Sequence, residues 1–275
     1  MAPRTTKKNR DLSSDVEKVP GTAAFTKFMA VLQLIGDRPR QYGMADLCKT
    51  SGLPRATVYR IVDALRAEGL VAEAQPGNTF VLGPRLINLA SRSWESFDLR
   101  TIAQPAIKQL RDETGETVHL AVPGGLEMVY IDKLESPQAV RMTSRIGTRI
   151  TLYSSSVGKA YLAALTPAER DDLLGMITFN RYTPHTITQR KALEAELKAT
   201  LKRGYSLDRE ETELEIRCLG AAIVDAAGRP VGGISVSVPK YRYDKAVEAR
   251  LSKMVRQCAD TIAAQMTDAK SPWSD

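Results

Sequence analysis

Asp46-Leu47-Cys48-Lys49-Thr50-Ser51-Gly52-Leu53-Pro54-Arg55-Ala56-Thr57-Val58-Tyr59-Arg60-Ile61-Val62-Asp63-Ala64-Leu65 is the stretch on which the reading of this chain turns. It predicts a short helix, a tight turn at Ser51-Gly52, and a second helix opened by Pro54. Proline suits a first helical turn because its missing N–H has no intrahelical partner there. Val58, Ile61, Val62 and Leu65 then recur at helical spacing and face a core. Arg55, Thr57, Tyr59 and Arg60 are left on the outer side. Two helices joined by a Gly-containing turn, the second led by Arg and Thr, suit a helix-turn-helix with its recognition helix in a DNA major groove. A helical hairpin with a solvated basic face fits the same residues.

The flanks favour the first reading. Phe25, Phe28, Met29, Leu32 and Ile35 form a helical stripe ending near Gly36-Asp37, a first helix for the pair to pack on. Glu68-Gly69 stops the recognition helix. Leu70 to Glu73 and Thr79 to Leu82 flank Gln75-Pro76-Gly77-Asn78 and read as a β-hairpin. Three helices and a hairpin make a winged helix-turn-helix, with Gln75 and Asn78 at a wing tip near DNA. Residues 1–93 hold 14 Lys and Arg against 8 Asp and Glu, a balance of +6 within a whole-chain +7. Cations clustered in this way release counterions from phosphates and supply sequence-independent affinity.

At 275 residues, two domains are the natural expectation. No apolar run is long enough to span a membrane, and Met1 to Pro20 lacks the apolar core of a signal peptide. Cys48, Cys218 and Cys258 are widely spaced, without a metal or disulfide pattern, and suit a reducing cytoplasm. His119 and His185 are the only histidines, so no metal and no cofactor is expected. We divide the chain into a disordered tail (1–20), a winged helix-turn-helix (21–84), a linker helix (85–97), a larger domain (98–268) and a tail (269–275). A basic arm touching DNA is one reading of the first tail.

The larger domain mixes helices with hairpins. Helices are expected from Ile102 to Thr114, Ser155 to Leu165, after the capping box Thr166-Pro167-Ala168-Glu169, from Thr188 to Gly204, and along Val247 to Ile262. Strands are expected at 118–122, 128–131, 139–143, 205–208, 221–225 and 231–238. The fold class is therefore α+β on a largely antiparallel sheet. Ser154-Ser155-Ser156-Val157-Gly158 runs into a helix N-terminus, a place suited to an anion. Ser235 and Ser237 share one strand face, which is either exposed to solvent or turned towards a polar partner. Ser156-Val157-Gly158-Lys159 matches S-x-x-K, but the S-D-N and K-T-G elements of that chemistry are missing. The chain also lacks a P-loop and a G-x-S-x-G elbow, so no enzyme is expected.

Taken together, these residues resemble the IclR (isocitrate lyase regulator) type of bacterial transcription regulators from about Phe25 to Met266. The resemblance rests on Gly52 to Arg60, Leu82 to Leu86, Val129 to Ser136, Gly158 to Ala163, Tyr182 to Thr186, Arg217 to Ile223 and Ile234 to Pro239, in that order. It implies a GAF-like effector domain, a homodimer or dimer of dimers, and binding to double-stranded operator DNA, with genes of carbon-source breakdown under control. It also implies a small organic acid held by Asp208, Cys218, Ser235 and Ser237, with Ser156 and Val157 at the loop and Met142, Ile150 and Ile216 as walls. Ser156 and Val157 replace smaller residues, so the ligand is expected to differ from simple keto acids. Asp208 would accept from a ligand hydroxyl or from the Cys218 thiol. The alternative function is a ligand-independent structural DNA binder.

Overall fold

The computed structural model describes residues 21–74, 77–95, 99–139 and 144–268. Both tails lie outside these ranges. So do Gln75, Met142, most of the strand expected at 139–143, and the last residues of the expected linker helix. By internal contacts the chain forms two compact units, one up to Ser96 and one from Phe97.

The first unit contains α1 (Ala23–Asp37), α2 (Met44–Ser51), α3 (Arg55–Ala67), a hairpin of β1 (Val71–Ala74) and β2 (Thr79–Leu82), and α4 (Pro84–Glu95). Its core joins Val31 and Ile35 of α1, Leu47 of α2, the α3 stripe Val58, Ile61, Val62 and Leu65, and Val71 and Phe80 of the wing. Gly52 ends α2 in the left-handed region at φ 66°, where a Cβ would add steric cost. Pro54 is the residue before α3 and not its first turn: its φ is −55° but its ψ is 138°. Its carbonyl accepts from the amides of Thr57 and Val58. The wing also pairs with the segment before α2, where Phe80 N donates to Tyr42 O at 3.1 Å.

The second unit is a six-stranded, wholly antiparallel sheet in the order β5-β4-β3-β8-β7-β6. The strands are β3 (Thr117–Pro123), β4 (Glu127–Leu134), β5 (Arg149–Thr151), β6 (Ser206–Arg209), β7 (Ile216–Val224) and β8 (Pro230–Pro239). One face packs on α5 (Leu99–Thr114) and α9 (Lys245–Asp268) through residues such as Ile107, Leu120, Leu219, Val236 and Ile262. The other face meets α6 (Ser156–Ala164), with α7 (Pro167–Met176) and α8 (Arg190–Arg203) around it. Val157, Leu162, Leu193 and Leu197 share an apolar cluster there with Ala121 and Met128 of the sheet. The capping box forms as expected: Thr166 N donates to Glu169 Oε2 at 3.0 Å and Glu169 N to Thr166 Oγ1 at 3.4 Å.

β8 lies in the middle of the sheet and is buried on both sides. Ile234, Val236 and Val238 face α5 and α9, while Ser235 and Ser237 are 1% and 2% exposed on the α6 side. This settles the two readings of that face. A central strand with helices on both sides has no solvated face, so its hydroxyls need polar partners.

Candidate functional site

α3 presents Arg55, Tyr59 and Arg60 to solvent, together with Ala56. Thr57 is half-exposed at the edge of that face, beside the buried Val58. Arg55 Nη2 donates to Tyr59 Oη at 3.1 Å, and its guanidinium lies 5.4 Å from the ring centroid. One helical turn separates the two residues, so the contact holds a cationic fork in place. Asn78 is exposed at the wing with φ 50°.

In the second unit, the polar residues of the α6 side converge on a cavity of about 40 Å³. The helix α6 contributes Ser156 and the residue before it, Ser155. The sheet contributes Tyr130, Asp208, Cys218 and Ser237. The segment between β6 and β7 contributes Thr212 and Glu213, with Ile216 at the start of β7. Of the residues singled out in the sequence, Ser156, Asp208, Ile216, Cys218 and Ser237 therefore meet in one place. Val157 and Ser235 are buried nearby but do not line the cavity. Val157 turns into the apolar cluster, and Ile150 packs on that cluster too.

Local chemistry explains the arrangement. Ser155 caps α6: its Oγ accepts from Gly158 N at 3.1 Å and donates to Thr151 O at 2.7 Å. Pairing in the sheet places Asp208 opposite Cys218 and Cys218 opposite Ser237. The Cys218 thiol donates to Ser237 Oγ at 3.2 Å, not to Asp208. Asp208 Oδ1 instead accepts from the amides of Glu211 (2.7 Å) and Thr212 (3.4 Å). The loop that supplies those amides is clamped by Thr183 Oγ1 donating to Glu210 O (2.6 Å) and Thr186 Oγ1 donating to Glu211 O (2.7 Å). That gives the Tyr182 to Thr186 motif a structural task.

Burial pushes the Asp208 carboxyl up to about 7, against the pull of Lys159 and the backbone donors and with Glu211 adding to the rise. Burial, with Asp208 beside it, also raises the Cys218 thiol, so it stays protonated. His119, fully buried, is lowered to about 3, chiefly by burial and then by Lys133. It is neutral at neutral pH. It stacks on Tyr130 at 4.3 Å, and its Nε2 lies 2.7 Å from Ser144 Oγ. The raised Asp208 has a consequence for stability. Between about pH 4 and 7 the folded unit keeps a proton that the unfolded chain has lost, so this group makes stability fall as pH rises through that window and then level off. His119 acts oppositely between about pH 3 and 6.5, in parent and variant alike. Asp208→Asn should therefore gain on the parent as pH goes from 5 to 8. Urea midpoints at the two pH values check this, and parallel pH profiles would exclude it.

A larger open groove of about 500 Å³ lies between α6, α8 and α9. Ala160, Ala163, Ala221 and Ala222 line it together with the exposed Lys253, Arg256, Gln257 and Asp260, and Thr200 is the buried polar side chain among the residues that line it. Sequence reasoning did not single out Tyr130, Thr212 or Glu213. Tyr130 read as one more residue of an apolar strand, and the acidic run Glu210 to Glu213 carried no periodic signal.

Comparison with known proteins gives a consistent picture. Residues 24–74 match the family model for the IclR helix-turn-helix domain, and residues 91–264 match that of the bacterial transcriptional regulator IclR C-terminal domain. The HTH-type transcriptional regulator KdgR of Escherichia coli K12 is 31% identical over 92% of this chain and 97% of its own length. The crystal structure of the Thermotoga maritima IclR is similar at a TM-score of 0.73 and 31% identity, over 88% of this chain and 98% of that one. An IclR homolog from Microbacterium hydrocarbonoxydans, solved with 4-hydroxybenzoate, shares the fold at a TM-score of 0.77 and 23% identity, over 90% and 100% of the two chains.

Proposed function

The chain belongs to the IclR family of bacterial transcriptional regulators, and from that premise we propose that it senses a small organic acid and reports it at an operator. It is a DNA-binding regulator and not an enzyme, as are the relatives it matches. The observation that carries the ligand reading is the convergence of Ser156, Asp208, Cys218 and Ser237 on one enclosed polar cavity at the start of α6. Backbone N–H groups at a helix start favour a carboxylate. That a protein of this fold holds 4-hydroxybenzoate supports a ligand of similar kind. The genes under control would serve the breakdown of a carbon source, in the cytoplasm, as repressor or activator.

The working unit is a homodimer or dimer of dimers, which sets recognition helices against a pseudo-palindromic operator. A ligand shifts such a regulator only by its differential affinity for the DNA-competent and DNA-incompetent arrangements. The α3 residues Arg55, Thr57, Tyr59 and Arg60 read the groove, with Gln75 and Asn78 at the wing.

Thermal-shift titration with small carboxylic acids tests the sensing role, since a ligand bound only by the folded state raises its stability. No stabilisation by any acid would leave a ligand-independent structural DNA binder. Arg55→Ala tests the output end. Operator affinity should drop by about 1–3 kcal/mol with relaxed specificity at one base pair, as for a bidentate arginine on guanine. A uniform loss over all sequences, measured by gel shift, would make Arg55 a phosphate contact instead.

A further inference from the structure

We infer that Tyr130 and Glu213 are specificity-determining residues of the effector site, and that with Asp208 they select an acid carrying hydroxyl groups at the end away from its carboxylate. This rests on the sensing role proposed above. Neither residue belongs to the set that the family resemblance suggested.

The first observation is the charge of the lining. Among the described residues that line the cavity there is no Lys, Arg or His, while Asp208 and Glu213 are both carboxylic acids. The nearby cation, Lys159, is fully buried and held by Glu211 Oε1 at 2.5 Å. A simple acid would meet two carboxyl groups with only the helix start to favour it. Ionised carboxylates accept hydrogen bonds and donate none. The ligand groups that complement them are donors, and a hydroxyl supplies a donor without altering the acid's charge.

The second observation is the rigidity of Tyr130. Its ring stacks on His119 with an interplanar angle of 22°. His119 is itself held by Ser144 and lies 3.5 Å from Ser237 Oγ through Nδ1. The phenol is raised by burial, with Cys218 and Asp208 next to it. A fixed, protonated phenol beside Asp208 gives a hydroxylated ligand both a donor and an acceptor at known positions. Glu213 stands exposed at the mouth, where it meets the ligand's outer hydroxyls. The cavity of about 40 Å³ has room for a water or two, so its walls must move apart to admit any acid.

The ligand's effect on Asp208 can be read from pH. The groups facing it are Lys159 from α6, Cys218 from β7, Tyr130 from β4, and Glu211 and Glu213 from the loop, with neutral His119 behind Tyr130. A ligand hydroxyl donating to ionised Asp208 displaces its proton, so affinity rises with pH towards about 7. A ligand carboxylate facing Asp208 keeps the proton in place, and affinity then stays level up to about pH 7 and falls above it.

The test uses the full-length chain and two matched pairs of probes, D-glycerate against pyruvate and D-gluconate against hexanoate, at pH 6 and 8. In at least one pair the hydroxylated acid should raise the melting temperature more, with affinity higher at pH 8. Tyr130→Phe and Glu213→Gln should each weaken that acid by roughly tenfold, the loss of one hydrogen bond to a buried or charged group, and leave the other acid of the pair unchanged. Glu213 is exposed, so its variant folds even if Tyr130→Phe does not. Equal or better binding of the hydroxyl-free acid in both pairs overturns the inference and leaves the acid-sensing role standing. So does an equal effect of Glu213→Gln on both members. No stabilisation by any of the four acids overturns both.

Discussion

Lys159→Met is expected to destabilise the second unit by about 3–5 kcal/mol, the range for removing one partner of a buried ion pair. Both side chains are out of water: Lys159 is 0% and Glu211 4% exposed at the side chain. The Nζ–Oε1 distance is 2.5 Å. The other carboxylate oxygen, Glu211 Oε2, is buried without a hydrogen-bond partner, so Lys159 is its main compensation. Burial already raises the Glu211 carboxyl above the usual range, with Lys159 working against that rise. Lys159 also opposes the rise at Asp208 and helps to lower the Glu196 carboxyl. Methionine preserves most of the stem volume but leaves Glu211 and Asp208 without their cation, while Glu196 keeps Arg203 and Arg209. The gap between variant and parent should shrink as pH falls, because protonation neutralises the uncompensated groups. Pairing the change with Glu211→Leu should recover much of the loss, since a buried pair is often replaceable by apolar residues. Urea denaturation of the two single variants and the double variant measures this. A loss below about 1 kcal/mol for Lys159→Met would show that water reaches the pair.

This pair also marks where reading the sequence stopped. Gly158-Lys159 was legible as a motif and as part of a helix, but Glu211 lies 52 residues away and nothing local joins them. The stripes of α3 and α9 and the capping box at Thr166 and Glu169 depend on neighbours in sequence and form as expected. The stripe expected for α1 is displaced: Phe25 and Met29 are exposed, and Val31 joins Leu32 and Ile35 in the core. β5 has three residues and no alternation to detect. β7 begins at Ile216, five residues before the expected strand, because Arg217, Cys218 and Gly220 interrupt the apolar pattern. α8 starts at Arg190 and not at Thr188, since Gln189 is extended. The antiparallel pairing of β3 with β8 joins residues about 118 apart, and that pairing buries Ser235 and Ser237. The site followed the same rule. The family motifs brought out Asp208, Cys218 and Ser237, whereas Tyr130 joins them only once the sheet is assembled.

Gly158→Ala should cost about 3 kcal/mol and abolish the response to effector. Propensity alone predicts the reverse, since alanine in a helix interior is favoured over glycine by about 1 kcal/mol. Packing decides the sign. A Cβ on Gly158 would sit 2.6 Å from Leu152 Cα, Leu152 O and Thr151 O, all backbone atoms that cannot swing aside. On the opposite side of the same helical turn, Gly220 lets β7 approach, and a Cβ there would lie 2.8 Å from Ser156 C and from Ser206 Oγ. Ser206 Oγ bridges Ser156 O at 2.6 Å and Gly220 O at 3.1 Å. The first turn of α6 is thus wedged between the β5 connection and the sheet, with Ser155 and Ser156 aimed at the cavity. Relief of the clash must push that turn away from the sheet, and overpacking of this kind usually costs about 1–3 kcal/mol, more where only backbone can yield. Gly175 of α7 is the control, because a Cβ there meets nothing within 4 Å. Gly175→Ala should be neutral or stabilising by up to about 1 kcal/mol. Thermal melts of the two variants, each with and without a stabilising acid, separate the readings. If Gly158→Ala melts with Gly175→Ala and still responds to acid, the wedge does not position the site.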